Sequence, residues 1–338
     1  MSPRGPSRRS ACIRLAGALL GLAEAAVLPG CQLLPAPGAV GVAQQVAPGV
    51  YLVRGAHGEI GPDNRGEIGN AAFIVGPNGV LAVDTGVSWQ QGRRLLATIE
   101  RHTGQRPRLA VLTQPRQEFL FGATAFQAAG VPLLMHRRAE QVMRSRCDRC
   151  LRQLQQQLGA DTMQGSALPR PDRLIDGSTP LDEALIGRPI QLLHLGHGSG
   201  PGDIGVFDAD SRTLLAGGWI DHLRIPDVQD GDLPGWRTTL DRLHELAPRL
   251  VVPGHGPAGP GPRLIDTTRR YLDQLEAAVA RELAADTSLA DIAQAVELPE
   301  FAGWDQYETT HRRNAAIVYL RLERVLLLQP SPRPAPAP

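Results

Sequence analysis

Two stretches decide the reading of this chain. One is Leu109-Ala110-Val111-Leu112-Thr113-Gln114-Pro115-Arg116-Gln117-Glu118-Phe119, and the other is Leu250-Val251-Val252-Pro253-Gly254-His255-Gly256-Pro257. Each is a short apolar run that stops abruptly in a polar or Gly/Pro-rich segment, the signature of a buried strand feeding a loop at the sheet end. Working outward, Val50–Arg54, Ala71–Gly76 and Val80–Val83 read as strands, the last closed by Asp84-Thr85-Gly86. Trp89–Arg101 has helical periodicity, Leu109–Thr113 is a strand, Leu120–Ala129 a helix and Val131–Met135 a strand. Arg137–Leu158 is a long helix. The second half repeats the theme, with strands at Ile190–His194, Ile204–Asp208, Thr213–Gly217 and Leu250–Val252. Helices follow at Leu233–Leu246, Arg263–Ala285 and Asp305–Leu328. Two similar halves of strands followed by helices predict an α/β sandwich, two mixed sheets face to face with helices outside. In such an arrangement the chemistry lies on the loops at strand ends.

The 338 residues, 42% hydrophobic and 20% charged, are enough to bury a sizeable core. All 35 basic residues are arginine, which removes Schiff-base chemistry, a P-loop lysine and a lysine general base. GC-rich coding explains the bias. Against 34 acids the net charge is +1, which gives no basic excess for nucleic acid.

Residues 1–31 read as an export leader. Arg4, Arg8, Arg9 and Arg14 precede a short apolar run, Leu15–Leu28, too brief to span a bilayer. Leu28-Pro29-Gly30-Cys31 resembles a bacterial lipoprotein cleavage box, which makes Cys31 the candidate lipidation site and a lipid anchor the expected link to a membrane. The expected location is therefore the periplasm. Residues 32–45 read as a linker, 46–262 as the main domain, 263–328 as helices packed on it, and 329–338 as a Pro-rich, disordered tail. Cys147 and Cys150 are one helical turn apart, and in an oxidising compartment a local disulfide is the leading expectation.

The order of Asp84-Thr85-Gly86, the loop after Thr113, Pro201-Gly202-Asp203, Leu215-Ala216-Gly217 and Pro253-Gly254-His255-Gly256-Pro257 resembles that of the metallo-β-lactamase superfamily over Val46–Pro262. Arg146-Cys147-x-x-Cys150-Leu151, Arg224-Ile225-Pro226 and Leu233-Pro234-Gly235-Trp236 resemble its quinoprotein relay system zinc metallohydrolase branch. That branch implies an exported protein associated with pyrroloquinoline-quinone-dependent alcohol oxidation. The superfamily's zinc chemistry needs a His-x-His-x-Asp-His loop, a further His, a bridging Asp and a final His. By this resemblance Gln114, Arg116, Glu118 and Phe119 stand at the loop's ligand positions, Ser199 at the next His and Gly218 at the bridging Asp. Only His255 keeps its ligand identity. A guanidinium offers no electron pair and a phenyl ring no donor atom, so the resemblance implies a pseudoenzyme that binds no zinc.

Several alternatives stay open. Zinc could sit in a rebuilt mononuclear site of His255, His197 and Asp221 or His222, although the plain reading of His197 is a loop residue. Ser199 with His255 as base is a weaker option, since the flanks lack the nucleophile-elbow pattern. Another open reading has His255 retained to bond backbone groups in its tight turn. Arg116 is expected either to bind a small anionic ligand by its fork or to pair with Glu118 or Asp84. Asp84, His197, Asp221 and His222 are the expected pocket-lining residues. Tyr307, His311 and Asn314 share a helix face and are expected to pack structurally, and Trp219 and Trp236 to lie in the core or at a pocket rim.

Overall fold

The computed structural model describes residues 41–328. Cys31, the leader 1–31 and the tail 329–338 lie outside the described residues. Seven strands form the first sheet in sequential order: β1 (Ala43–Ala47), β2 (Val50–Val53), β3 (Ala71–Gly76), β4 (Gly79–Val83), β5 (Leu109–Leu112), β6 (Leu133–His136) and β7 (Arg173–Ile175). The first four are antiparallel and β4 to β7 run parallel. The second sheet has the order β13-β12-β11-β10-β9-β8. Its strands are β8 (Thr179–Pro180), β9 (Ile190–Leu193), β10 (Gly205–Asp208), β11 (Thr213–Leu215), β12 (Leu250–Val252) and β13 (Gly259–Pro260). Only β11 and β12 are parallel there. Strand β1 begins within the stretch read as linker.

Alternation along the strands sorts their side chains into layers. Val50, Leu52, Ile74, Leu81 and Val111 of the first sheet meet Leu192, Val206, Leu215 and Val252 of the second in the central core. Phe73, Ala82, Leu112 and Met135 point the other way, onto α1 (Trp89–Thr103), α2 (Gln117–Leu120), α3 (Ala123–Ala128), α4 (Arg137–Leu158) and the short α5 (Ala160–Met163). The outer face of the second sheet packs on α6 (Leu233–Leu246), α7 (Gly261–Ala284), α8 (Ile292–Ala295) and α9 (Arg312–Leu328). Trp219 and Trp236 are fully buried in this last core. The result is the expected αββα sandwich with C-terminal helices.

Local signals set several boundaries. The Ser88 hydroxyl accepts from Gln91 N and Asp232 from Gly235 N, fixing the starts of α1 and α6. The short elements β1, β7, β8, β13, α5 and α8 are not among those expected from the sequence, and two predicted helices differ in form. The single helix predicted over Leu120–Ala129 is two short ones, because Gly122 N donates to Gly86 O and a Cβ at Gly122 would collide with the Thr85 carbonyl. The close approach of two backbones there outweighs helical periodicity. The predicted helix from Asp305 starts as a π-turn, Tyr307–His311, and becomes regular only at Arg312.

Among the described residues no helix is long and apolar enough to cross a membrane.

Candidate functional site

The ends of β4, β5, β11 and β12 converge at one edge of the sandwich. Asp84, at the end of β4, adopts a left-handed backbone with φ of 58°. Its carboxylate accepts from Thr113 N and Thr113 Oγ1, each at 2.8 Å, tying β4 to the loop after β5. Burial pushes the Asp84 carboxyl up to about 7, and those two hydrogen bonds only partly offset it.

The loop then runs past a buried Gln114 whose amide oxygen and nitrogen have no hydrogen-bond partner. Gln114 fills the space beside Gly218: a Cβ added at Gly218 would land on the Gln114 amide oxygen and 2.7 Å from Ser199 Oγ. Ser199 is itself buried and donates to Asp203, so it has no contact with His255 that would make it a nucleophile.

Arg116 reaches across the cleft mouth to Asp227, placing Nη1 3.2 Å from Oδ2 and Nη2 3.1 Å from the backbone carbonyl. This corrects the expected pairing with Glu118 or Asp84. Asp84 is already held by Thr113, and Glu118 turns inward to His255. Burial works against the Arg116 charge, but Asp227 and then Glu118 keep it protonated. Arg313 approaches the same Asp227 carboxylate at 3.0 Å.

The Pro253–Pro257 turn carries His255, buried to 4% exposure. Its Nδ1 lies 2.8 Å from Asp221 Oδ1 and its Nε2 lies 3.4 Å from Glu118 Oε1. The expectation that the ring bonds backbone groups is therefore corrected: both nitrogens face carboxylates. The turn is instead held by Asn70, which donates to the carbonyls of Pro253 and Gly256 at 2.8 Å each. Burial acts to raise the Glu118 carboxyl, yet the His255 ring outweighs it and holds the group below the usual glutamate value. Phe119 packs edge-on against the His255 ring, with centroids 5.2 Å apart.

A cleft of about 550 Å³ opens over these groups. Arg116, Glu118, Asp221 and His255 line it, whereas Gln114, Phe119, Ser199 and Gly218 lie buried and are not part of its wall. Of the four residues expected to line the pocket, only Asp221 does so. Asp84 is sealed beneath by Thr113. His197 is exposed, with Nε2 2.7 Å from Asp230 O. His222 turns its Nδ1 to Pro257 O and faces a separate hollow beside Trp304. The alternative metal set of His255, His197 and Asp221 is thus not assembled. Among the described residues no three or more His, Cys, Asp or Glu side chains are arranged to hold a metal ion. Glu118, His255 and Asp221 touch in a chain rather than converge. The hydrogen bond is on the Asp221 side only, since His255 Nε2 has no hydrogen-bond partner; the arginines beside the chain can grip a carboxylate or phosphate.

Cys147 and Cys150 also line the cleft, and both are free thiols. The expected disulfide is not formed. Residues one turn apart on a helix have Cβ atoms about 5–6 Å apart, while a disulfide requires about 3.5–4.5 Å. Sequence reasoning missed Asp227, Arg313 and Asn70. Asp227 meets Arg116 from 111 residues away, Asn70 meets the Pro253 carbonyl from 183, and Arg313 joins Asp227; no local pattern marks them.

Tyr307, His311 and Asn314 pack structurally, as expected. Asn314 donates to Tyr271 Oη and to Pro226 O and accepts from Val228 N, while the His311 ring lies between Tyr271 Oη and Val296 O.

Comparison with known proteins agrees with this architecture. The family model described as the metallo-beta-lactamase superfamily matches residues 64–255, more than half of the chain. A metallo-beta-lactamase from Pontibacter korlensis superposes with a TM-score of 0.55 at 18% identity, covering 68% of this chain and 98% of its own. The DIM-1 metallo-beta-lactamase gives 0.54 at 15% identity, covering 68% and 96%. A metallo beta lactamase from Hirschia baltica gives the same TM-score, identity and coverage. At these identities the structural likeness speaks for the fold, and the family match for descent: the chain belongs to the metallo-β-lactamase superfamily.

Proposed function

We propose that this protein is a metallo-β-lactamase-fold protein with a degenerate metal site, a pseudoenzyme that binds rather than hydrolyses. The observation that carries the reading is the Gln114 amide lying in the space beside Gly218, where the superfamily's bridging carboxylate would need to stand. The donor chemistry agrees with it. Phe119 and Arg116 have no electron pair to give, Gln114 is turned to Gly218, and His255 has both nitrogens against carboxylates. The residues present do not fit a dinuclear zinc centre, so no reaction step is derived through one.

The ligand we propose is a small anion at the cleft wall. Arg116 and Arg313 share the carboxylate of Asp227 at the cleft wall, and Arg146 and Arg224 line the same cleft. A guanidinium fork that already holds one carboxylate has the geometry to take a carboxylate or phosphate of a ligand. The motif resemblance supports an exported, periplasmic protein, anchored through Cys31, that acts as an accessory to quinoprotein oxidation.

Metal analysis of the full chain purified from its host, paired with ester, thioester and lactam hydrolysis, tests this reading. The expected result is no stoichiometric zinc and no turnover. Tightly bound zinc that is lost in a His255→Ala variant, with turnover lost alongside it, overturns the reading in favour of a metal-dependent hydrolase rebuilt around His255.

A further inference from the structure

The wall of the cleft formed by α4 carries two thiols that the binding role does not use. Cys147 is buried at 1% exposure, its Sγ 3.8 Å from the carbonyl of Pro115, next to Arg116. Cys150 is partly exposed, with Sγ 3.5 Å from Arg146 O. Both line the same cavity, and they stand one helical turn apart on α4.

We propose that Cys147 and Cys150 form a dithiol site for thiol–disulfide exchange with a disulfide substrate entering the cleft, Cys150 attacking and Cys147 resolving. The Cys150 thiolate attacks one sulfur of the substrate, forming a mixed disulfide and releasing the first substrate thiolate. Cys147 then attacks the Cys150 sulfur, its proton passes to the leaving thiolate, and the second substrate thiol departs. The substrate disulfide gains two electrons and the cysteine pair loses two, so one disulfide and two thiols become one disulfide and two thiols.

The division of roles follows from the positions. Only Cys150 has an open face, and an attacking sulfur must be reached by its substrate. The neighbouring Cys147 thiol favours a Cys150 thiolate and holds Cys150 below the usual thiol value, against the opposing effect of burial. The neighbouring Cys150 sulfur, together with burial, pushes the Cys147 thiol up and keeps it protonated until the mixed disulfide has formed. The Cβ spacing of a helical turn adds a thermodynamic consequence. Closing the Cys147–Cys150 bond must distort α4, and a strained disulfide has a more oxidising potential. The reduced pair therefore gives up its electrons only to a substrate disulfide that is itself readily reduced or present in excess, and the bond does not serve to staple the fold.

The test uses the reduced full chain, oxidised glutathione as the disulfide and iodoacetamide as the alkylating probe, with peptide mapping to separate these cysteines from Cys12 and Cys31. Cys150 should alkylate more than about tenfold faster than Cys147, with a rate midpoint below that of a free thiol. Oxidised glutathione in large excess should convert the native protein to a Cys147–Cys150 disulfide. The Cys147→Ser variant should stop at a glutathione adduct on Cys150, and Cys150→Ser should leave Cys147 unmodified. Cys147→Ala serves in place of the serine variant should a hydroxyl in that buried position impair folding. Equal alkylation rates, no reaction with oxidised glutathione, or a Cys150 adduct that persists in the native sequence overturns the proposal.

Discussion

Two buried polar clusters, one in the helical extension and one at the strand ends, are built differently. In the helical extension, Asn314 uses its carbonyl and both directions of its amide nitrogen on Val228, Pro226 and Tyr271, and His311 closes the set between Tyr271 and Val296. At the strand ends, Gln114 has no hydrogen-bond partner, Asp84 carries a carboxyl that burial disfavours in its charged form, and two further carboxylates crowd one imidazole. A polar group in a dry interior costs free energy unless it is matched, so a fully matched cluster is a structural device. The poorly matched one has the composition expected where a functional site has been rewritten on an older scaffold. The contrast predicts how each region responds to substitution.

The largest effect belongs to the matched cluster. Asn314→Ala removes three hydrogen bonds and strands a buried donor at Val228 and a buried acceptor at Pro226. A loss of about 3–5 kcal/mol is expected by urea denaturation. A loss under about 1 kcal/mol would mean that the network is not what fixes the helices, and the comparison breaks.

The site region should respond in the opposite direction. Asp84 binds its proton more tightly in the folded than in the unfolded chain, so between about pH 4 and 7 the folded state holds a proton that the unfolded state has released. Stability contributed by this group is therefore present at low pH and lost as pH rises towards 7. Asp84→Asn removes the titration, keeps an acceptor for Thr113 N and tolerates the left-handed backbone. It should stabilise the protein by about 2–4 kcal/mol at pH 8 and by almost nothing at pH 4. Denaturation curves at the two pH values check this, and equal effects at both would remove Asp84 from the mismatched cluster.

The smallest effect sharpens the comparison further. Gln114→Leu replaces an unpartnered buried amide with an apolar group of similar size, and a gain of about 1 kcal/mol is expected in thermal denaturation. Destabilisation instead would show that the amide is matched in solution.

Much of the fold was legible in the chain. Arg137–Leu158, Leu233–Leu246 and Leu250–Val252 begin and end where periodicity and the Asp232 cap put them. The predicted helices fail at Gly122 and at Tyr307–His311, where a distant backbone or a buried side-chain network overrides local preference, and the short edge strands β1, β7, β8 and β13 carry too few residues to show a period. The site was legible in identity and less so in pairing. Motif order located Gln114, Arg116, Glu118, Phe119, Ser199, Gly218 and His255 at one edge. It did not foresee that Asp227 would take Arg116, that Asn70 would clamp the His255 turn, or that His197 and His222 would point elsewhere.

The sequence by itself determined the layer architecture, because strand and helix periods are local and the order of motifs follows chain order. It also determined which donor atoms are present, since residue type alone says that Arg116 and Phe119 cannot ligate. Tertiary structure decided who faces whom. Charge pairing depends on distances of a few ångströms between residues a hundred or more positions apart, and nothing in local sequence encodes those distances. Burial was decided the same way, and burial is what turns Asp84 from an ordinary carboxylate into a titrating liability and Cys147 and Cys150 from a motif into an inner and an outer thiol.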